Sequence, residues 1–274
     1  MASSSNDNNT CARQGEVDFF ITGAQKCGTT ALHRMLSTLP GIQMSHKKEV
    51  HYFDNETRTN WSDPNPLPLH IHFDWTVQNV LRGEATPITC FWPLALDRLK
   101  AYNPDARLIL LLRHPVHRAY SQWKMERLRG KETLSFADAM SDLGRARAQG
   151  RPHRIYSYVE RGFFATILEN MLRLFPVEQL HIIRTDRLWS APEAELERVM
   201  NFLGNPVAIE LIRGTEYTVP HDTRQFGGAD DEQIERYLPL FTEELARLQV
   251  MTGIDFTDWL SAEYAENILP NPAA

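Results

Sequence analysis

Residues 17–39 read VDFFITGAQKCGTTALHRMLSTL, and this stretch decides the fold. It opens on an apolar run, Val17, Phe19, Phe20 and Ile21, that suits a buried strand. A tight polar loop follows, Gly23-Ala24-Gln25-Lys26-Cys27-Gly28-Thr29-Thr30. Ala31, Leu32, Met35, Leu36 and Leu39 then recur at helical spacing. Strand, glycine loop and helix start together make an anion cradle. Backbone N–H groups converge there, and the helix dipole adds partial positive charge.

The spacing is close to that of a nucleotide-triphosphate loop, which needs Gly, four residues, then Gly-Lys-Ser/Thr. Gly23 and Gly28 are correctly placed, but Thr29 stands at the lysine position and Lys26 lies inside the loop. A lysine at mid-loop still reaches a phosphate oxygen. Taken alone, the stretch also reads as a glycine turn before an ordinary helix, with a solvated Lys26.

Composition narrows the field. The chain has 274 residues, enough for one α/β domain, with 42% hydrophobic and 23% charged residues to build a core and a wet surface. A net charge of −6 argues against a general nucleic-acid binder, so any polyanion site is a local basic pocket. No apolar run has the length of a membrane span. Residues 1–15 are polar, without a signal-peptide core, and read as a disordered tail. Cys11, Cys27 and Cys90 have neither disulfide-framework nor zinc spacing, which points to a reducing, cytoplasmic setting. Cys27 reads as a small residue that fits the loop.

A second stretch, Lys47-Lys48-Glu49-Val50-His51-Tyr52-Phe53-Asp54, follows a short strand at 42–44. Strand alternation predicts Glu49 and His51 on one side and Val50 and Tyr52 on the other. An acid and an imidazole beside a phosphate loop suit a general-base pair; a solvated charged loop is the plainer alternative. Residues 55–75 then carry three prolines and two tryptophans without helical period, and read as an irregular binding loop or lid. Trp61, His70, His72 and Trp75 are its candidate acceptor contacts, with Lys48 beside Glu49. One His-x-His pair does not make a metal site.

The third stretch is the clearest buried strand, Arg107 to Leu112, ending in Arg113-His114-Pro115. A nucleotide-triphosphate enzyme wants an Asp for magnesium at such a strand end. Here Arg113 stands there instead, and arginine forks onto phosphate. Ser121 lies about two turns into the following helix, where its hydroxyl suits the same anion. Arg118, Lys124, Arg127, Arg129 and Lys131 read mostly as the solvated face of that helix.

These stretches carry a resemblance. Gln25-Lys26-Cys27-Gly28-Thr29-Thr30-Ala31-Leu32 resembles the 5′-phosphosulfate loop of sulfotransferases that use 3′-phosphoadenosine 5′-phosphosulfate (PAPS). Lys48-Glu49-x-His51-x-Phe53 is similar to the segment of the heparan-sulfate-type and related bacterial members that carries their catalytic Glu. Arg113-His114-Pro115-x-x-Arg118-Ala119-x-Ser121 resembles the family's 3′-phosphate motif, and Gly83-Glu84-Ala85-Thr86-Pro87 its E-x-[ST]-P segment. The likeness continues through a Gly-aromatic step at 162–163, a helix ending Phe175-Pro176, a strand at 180–183, and a helix ending Phe202-Leu203-Gly204. It spans roughly residues 17–260.

The resemblance implies an α/β fold: a P-loop-like central parallel sheet flanked by helices, as a single sulfotransferase domain over 16–264. Residues 265–274 are then a C-terminal tail. It implies PAPS as sulfuryl donor, PAP as product, and no metal requirement. Glu49, with His51, would deprotonate a hydroxyl or amine of a small-molecule or carbohydrate acceptor. Lys26 would stabilise the leaving phosphate. Gln25, Cys27, Gly28, Thr29 and Thr30 would hold the 5′ end, and Arg113 and Ser121 the 3′-phosphate. Arg224 would belong to a loop that closes over the donor, although this chain has Thr-Arg-Gln where heparan-type members have Lys-Gly-Arg. A P-loop kinase and a non-catalytic nucleotide-binding module are the alternatives.

Overall fold

The computed structural model describes residues 15–207, 229–261, 264 and 266. Five strands form one sheet: β1 (Phe19–Gly23), β2 (Ile42–Met44), β3 (Leu81–Ala85), β4 (Arg107–Leu112) and β5 (Leu180–Arg184). Their order is β2-β3-β1-β4-β5, and every pairing is parallel. Strand β1 is buried throughout, as is β4 from Leu108 on, because helices cover both faces of a parallel sheet. The sheet packs closely enough that Gly83 of β3 has no room for a side chain. A Cβ there would lie 2.1 Å from the Phe19 ring on the neighbouring strand.

The helices start where local chemistry allows. Helix α1 (Thr29–Ser37) begins after Gly28, whose φ of 86° is the left-handed conformation that glycine adopts freely. Helix α2 (Ala95–Tyr102) leads into β4. Helix α3 (Pro115–Leu128) has Pro115 in its first turn, where the missing N–H is no loss. Helices α4 (Phe164–Leu172), α5 (Pro192–Phe202) and α6 (Thr242–Thr252) complete the layers, α6 ending at Gly253 with φ 66°.

Connections leave β1 and β4 toward opposite edges of the sheet. β1 runs to β2 on one side, β4 to β5 on the other, so the crevice at their C-terminal ends is the switch point of the topology. The Gly23–Thr30 loop and Arg113 both open there.

Three sequence expectations are corrected. Residues 47–54 are not a strand: Glu49 and His51 have φ of 61° and 58°, so the chain turns sharply instead of alternating. Residues 135–147, a polar run before Gly150 and Pro152 that reads in sequence as one helix, are instead two single turns, Phe136–Met140 and Asp142–Ala146. Ser135 and Ser141 each cap one by accepting a backbone N–H. Arg118 is not on the wet face of its helix but fully buried, donating to Gln122 and to the carbonyl of Tyr158. The 55–75 excursion is largely irregular, with one turn of helix at Leu67–His70.

Candidate active site

A pocket of about 280 Å³ lies over the ends of β1 and β4. Gln25, Lys26, Gly28, Thr29 and Thr30 line it from the loop, with Glu49, Arg113 and Ser121 around them. Thus three stretches far apart in sequence meet in one cavity. The loop is tied down from beneath. Ala24 N–H donates to Leu111 O at 2.8 Å, and Thr185 Oγ1 donates to Cys27 O at 2.7 Å and Leu112 O at 2.9 Å. Cys27 is fully buried, and burial pushes its thiol up to about 12, so it fills space and is no nucleophile.

Positive charge is concentrated under this loop. Arg161 is buried and donates to the side chain of Gln25 and to the carbonyls of His153 and Arg154. Burial brings its guanidinium down to about 9 and that of Arg118 to about 10. Among the described residues neither guanidinium is in a salt bridge, and two such buried cations beneath the loop raise the potential around it, which favours a polyanion nearby. The sequence reading passed over Arg161. Its position beside the noted Gly162-Phe163 step was the available signal.

Arg113 sits at the end of β4, nearly buried. Its Nε donates to Glu266 Oε1 at 2.6 Å and its Nη2 to Glu266 Oε2, a two-pronged contact, while Nη1 reaches Lys26 O at 3.3 Å. Glu266 therefore lines the same pocket, although it falls within the stretch read as a tail. Thr185, Trp189 and Arg34 also line it and had no signal in sequence; Arg129 lines it too, from the exposed helix face where the sequence put it.

The Glu49 turn is held from β3. Glu49 N–H donates to Ala85 O at 3.0 Å, Val50 N–H to Glu84 Oε1 at 3.1 Å, and His51 N–H to Thr86 Oγ1 at 3.3 Å. Thr86 Oγ1 in turn donates to Glu84 Oε1 at 2.6 Å. Three successive amides are thus fixed by the Glu84–Thr86 segment, and burial pushes the Glu84 carboxyl up to about 7. Left-handed conformations at two non-glycine residues are costly, and this anchoring is what holds them.

At the tip of the turn, Lys48 Nζ lies 2.7 Å from Glu49 Oε1 and His51 Nε2 lies 3.7 Å from Glu49 Oε2. Burial raises the Glu49 carboxyl, but His51 and Lys48 outweigh it and hold it at about 2. His51 Nδ1 faces Asp54 Oδ2 at 2.9 Å, and Arg154 Nη1 reaches the same oxygen at 2.6 Å. Asp54 and Glu49 keep the imidazole protonated, up to about 9. The sequence reading found Glu49 and His51 but neither Asp54 nor Arg154.

The acceptor candidates divide. Lys48 is at the site. Trp61 and His70 instead line a separate cavity with Tyr52 and Tyr102, and Trp75 packs under the Arg82 guanidinium and against His70. The fold does not bring these three to the Glu49 pocket. His72 pairs with His46, Nδ1 to Nε2 at 3.1 Å. Arg224 lies outside the described residues.

Known proteins share this fold. The sulfotransferase domain model matches residues 16–233. Mouse heparan sulfate glucosamine 3-O-sulfotransferase 3A1 is 31% identical over 184 residues, covering 67% of this chain and 44% of that protein. The chain spans about half the length of the curated relatives it matches. The crystal structure of a sulfotransferase from Alicyclobacillus acidocaldarius superposes with a TM-score of 0.73 at 27% identity, covering 91% of this chain and 100% of that one. Mouse sulfotransferase SULT7A1 complexed with PAP shares the fold, with a TM-score of 0.51 at 15% identity over 85% of this chain and 86% of that one.

Proposed function

This chain belongs to the sulfotransferase family, and we propose that it moves the sulfuryl group of PAPS to a hydroxyl or amine of a carbohydrate or small-molecule acceptor. The observation that carries the reading is the convergence of Lys26, Arg113, Ser121 and Glu49 on one pocket at the sheet's switch point. A donor with phosphates at both ends would use two anion positions, and the fork of Arg113 on the Glu266 carboxylate supports a second position suited to paired oxygens.

In this reading the bound donor supplies an activated sulfuryl group. Lys26 and the loop N–H groups hold the 5′ end and stabilise the charge that builds on its phosphate. Arg113 and Ser121 grip the 3′-phosphate and set the donor's position. Glu49 faces the acceptor. A carboxylate held at about 2 is a weak base toward a free hydroxyl. It suffices once the acceptor oxygen bonds to sulfur, because that oxygen then sheds its proton readily. His51, held charged by Asp54, orients the carboxylate and favours its ionised form. An acceptor entering beside Glu49 meets Lys48, whose ammonium suits a polyanionic sugar such as the one named for the mouse relative. A reducing compartment belongs to the same reading, supported by Cys27 and Cys90, both buried and free.

Calorimetric titration with 3′,5′-adenosine bisphosphate, 5′-AMP and Mg-ATP tests it. Tight, magnesium-independent binding of the bisphosphate, well above that of 5′-AMP, is the expected result. Preference for Mg-ATP would overturn the donor assignment and point to phosphoryl transfer.

A further inference from the structure

We propose that Glu266 is a resident carboxylate of the donor pocket, which a 3′-phosphorylated ligand must displace from Arg113, so that this residue sets donor affinity and excludes weaker anions. The inference rests on Arg113 being the donor's phosphate fork, as argued above.

The contact has the geometry of the ligand it would compete with. Two guanidinium nitrogens of Arg113, Nε and Nη2, take the two oxygens of one carboxylate, as they would take two oxygens of a phosphate. Both side chains are nearly buried, Arg113 at 13% and Glu266 at 5% exposure. The third nitrogen, Nη1, points to Lys26 O at 3.3 Å, so the fork stays aimed at the pocket when Glu266 leaves.

Tyr264, two residues before Glu266, is itself seated beside Arg113. Tyr264 stacks on His114, the residue after Arg113, with ring centroids 5.1 Å apart and planes 13° from parallel. Its hydroxyl donates to Asp186 Oδ2 at 3.2 Å, and its N–H to Ser261 O at 3.2 Å. Two residues further on, the carboxylate meets the guanidinium.

A phosphate and this carboxylate cannot share the same two N–H groups. Side by side in a half-dry pocket, they would also repel each other. Binding of a 3′-phosphate therefore requires Glu266 to move out. A phosphate with nearly two charges and three oxygens makes that exchange favourable, whereas a singly charged anion gains little over the resident carboxylate. A ligand lacking the 3′-phosphate binds through the Lys26 loop and leaves Glu266 in place.

The test is the affinity of full-length wild type, Glu266→Gln and Glu266→Ala for 3′,5′-adenosine bisphosphate and for 5′-AMP, with thermal unfolding of each. Both variants are expected to bind the bisphosphate at least about tenfold more tightly, with 5′-AMP unchanged. Unchanged or weaker bisphosphate binding would mean that the ion pair is a permanent part of the fold, and would overturn the inference. Equal tightening toward both ligands would overturn it too, since a general charge effect then explains the gain. Should both variants fail to fold, hydrogen exchange on the wild type decides. The bisphosphate should speed exchange around Tyr264 and Glu266, and protection or no change there would overturn displacement. If wild type binds Mg-ATP and no bisphosphate, the sulfotransferase reading itself has failed, a result distinct from failure of the Glu266 exchange alone.

Discussion

The Nδ1 atom of His51 stands 2.9 Å from Asp54 Oδ2, and that carboxylate is wholly buried. An imidazole so placed donates to Asp54 from one nitrogen and turns the other toward Glu49. Arg154 steadies Asp54 from the far side. The proposed general base, Glu49, thus rests on a row of alternating charge running from the pocket into the protein.

That row has a pH signature. The imidazole of His51 is raised from 6.5 to about 9, first by Asp54 and then by Glu49. A raised value means that the charged form stabilises the fold. Its contribution is therefore complete below about 6.5 and lost as pH rises through about 9. Thermal unfolding of wild type and His51→Gln from pH 6 to 10 should converge at the alkaline end. Curves that stay parallel would refute the assignment.

Replacing Glu49 by Gln removes the proton acceptor but keeps the shape of the turn. Transfer from PAPS should fall by about 100-fold or more. Bisphosphate affinity should hold within a factor of about two, because Glu49 is not among the groups assigned to the phosphates. Parallel loss of binding and turnover would remove Glu49 from the role of base.

Arg113→Lys keeps one charge and loses the fork. Donor affinity should drop by about tenfold or more, as for a lost charge-assisted pair of hydrogen bonds. Affinity for 5′-AMP, measured in the same titration series, should change little. If the two ligands weaken together, Arg113 serves the loop and not the 3′-phosphate.

Glu84→Leu strips the acceptor from both Val50 N–H and the Thr86 hydroxyl. The expected cost is about 1–3 kcal/mol for each group left buried without a partner. Because the wild-type carboxyl is raised to about 7, its ionisation opposes folding. Its stability contribution is complete below 4.5 and lost as pH rises through about 7. Denaturant melts at pH 5 and pH 8 should show that the variant lacks this slope.

Gly83→Ala drives a methyl into Phe19, whose ring lies 2.1 Å from the added carbon. Both residues are on paired strands with no freedom to part. Destabilisation of about 1–3 kcal/mol, or failure to fold, is expected from such overpacking. A variant as stable as wild type would contradict the β1–β3 register.

Much of this was legible from sequence because it is local. The Gly23–Thr30 loop and the Arg113–Ser121 segment each begin at a strand end and run on without interruption, so the motifs that carry the family resemblance are contiguous in the chain. The alternation argument at Glu49 failed in its geometry, since the sharp turn is imposed by Glu84 and Thr86 from another strand. It still found the pair, because a left-handed turn also brings residues two apart together. Arg118 looked solvated because nothing local showed that Gln122 and the Tyr158 carbonyl would receive it in the interior. Trp61, His70 and Trp75 looked like acceptor contacts because aromatic rings in an irregular segment suit either a ligand or a core. Tyr52, Tyr102 and Arg82 claim them for packing. Glu266 pairs across 153 residues, and no pattern in the chain announces such a partner.

The adjacency of β1 and β4 makes the sheet a ruler. The Lys26 loop caps one strand and Arg113 caps the next, and the two strands are paired from Phe19–Arg107 to Gly23–Leu110, with one shift of register between Ile21 and Gly23. In the proposed reading, the distance between the two anion grips is therefore written in backbone hydrogen bonds, not in side chains that drift. A donor is gauged by its length. One whose phosphates are set closer together or further apart must let go at one end, whatever its affinity for either grip alone.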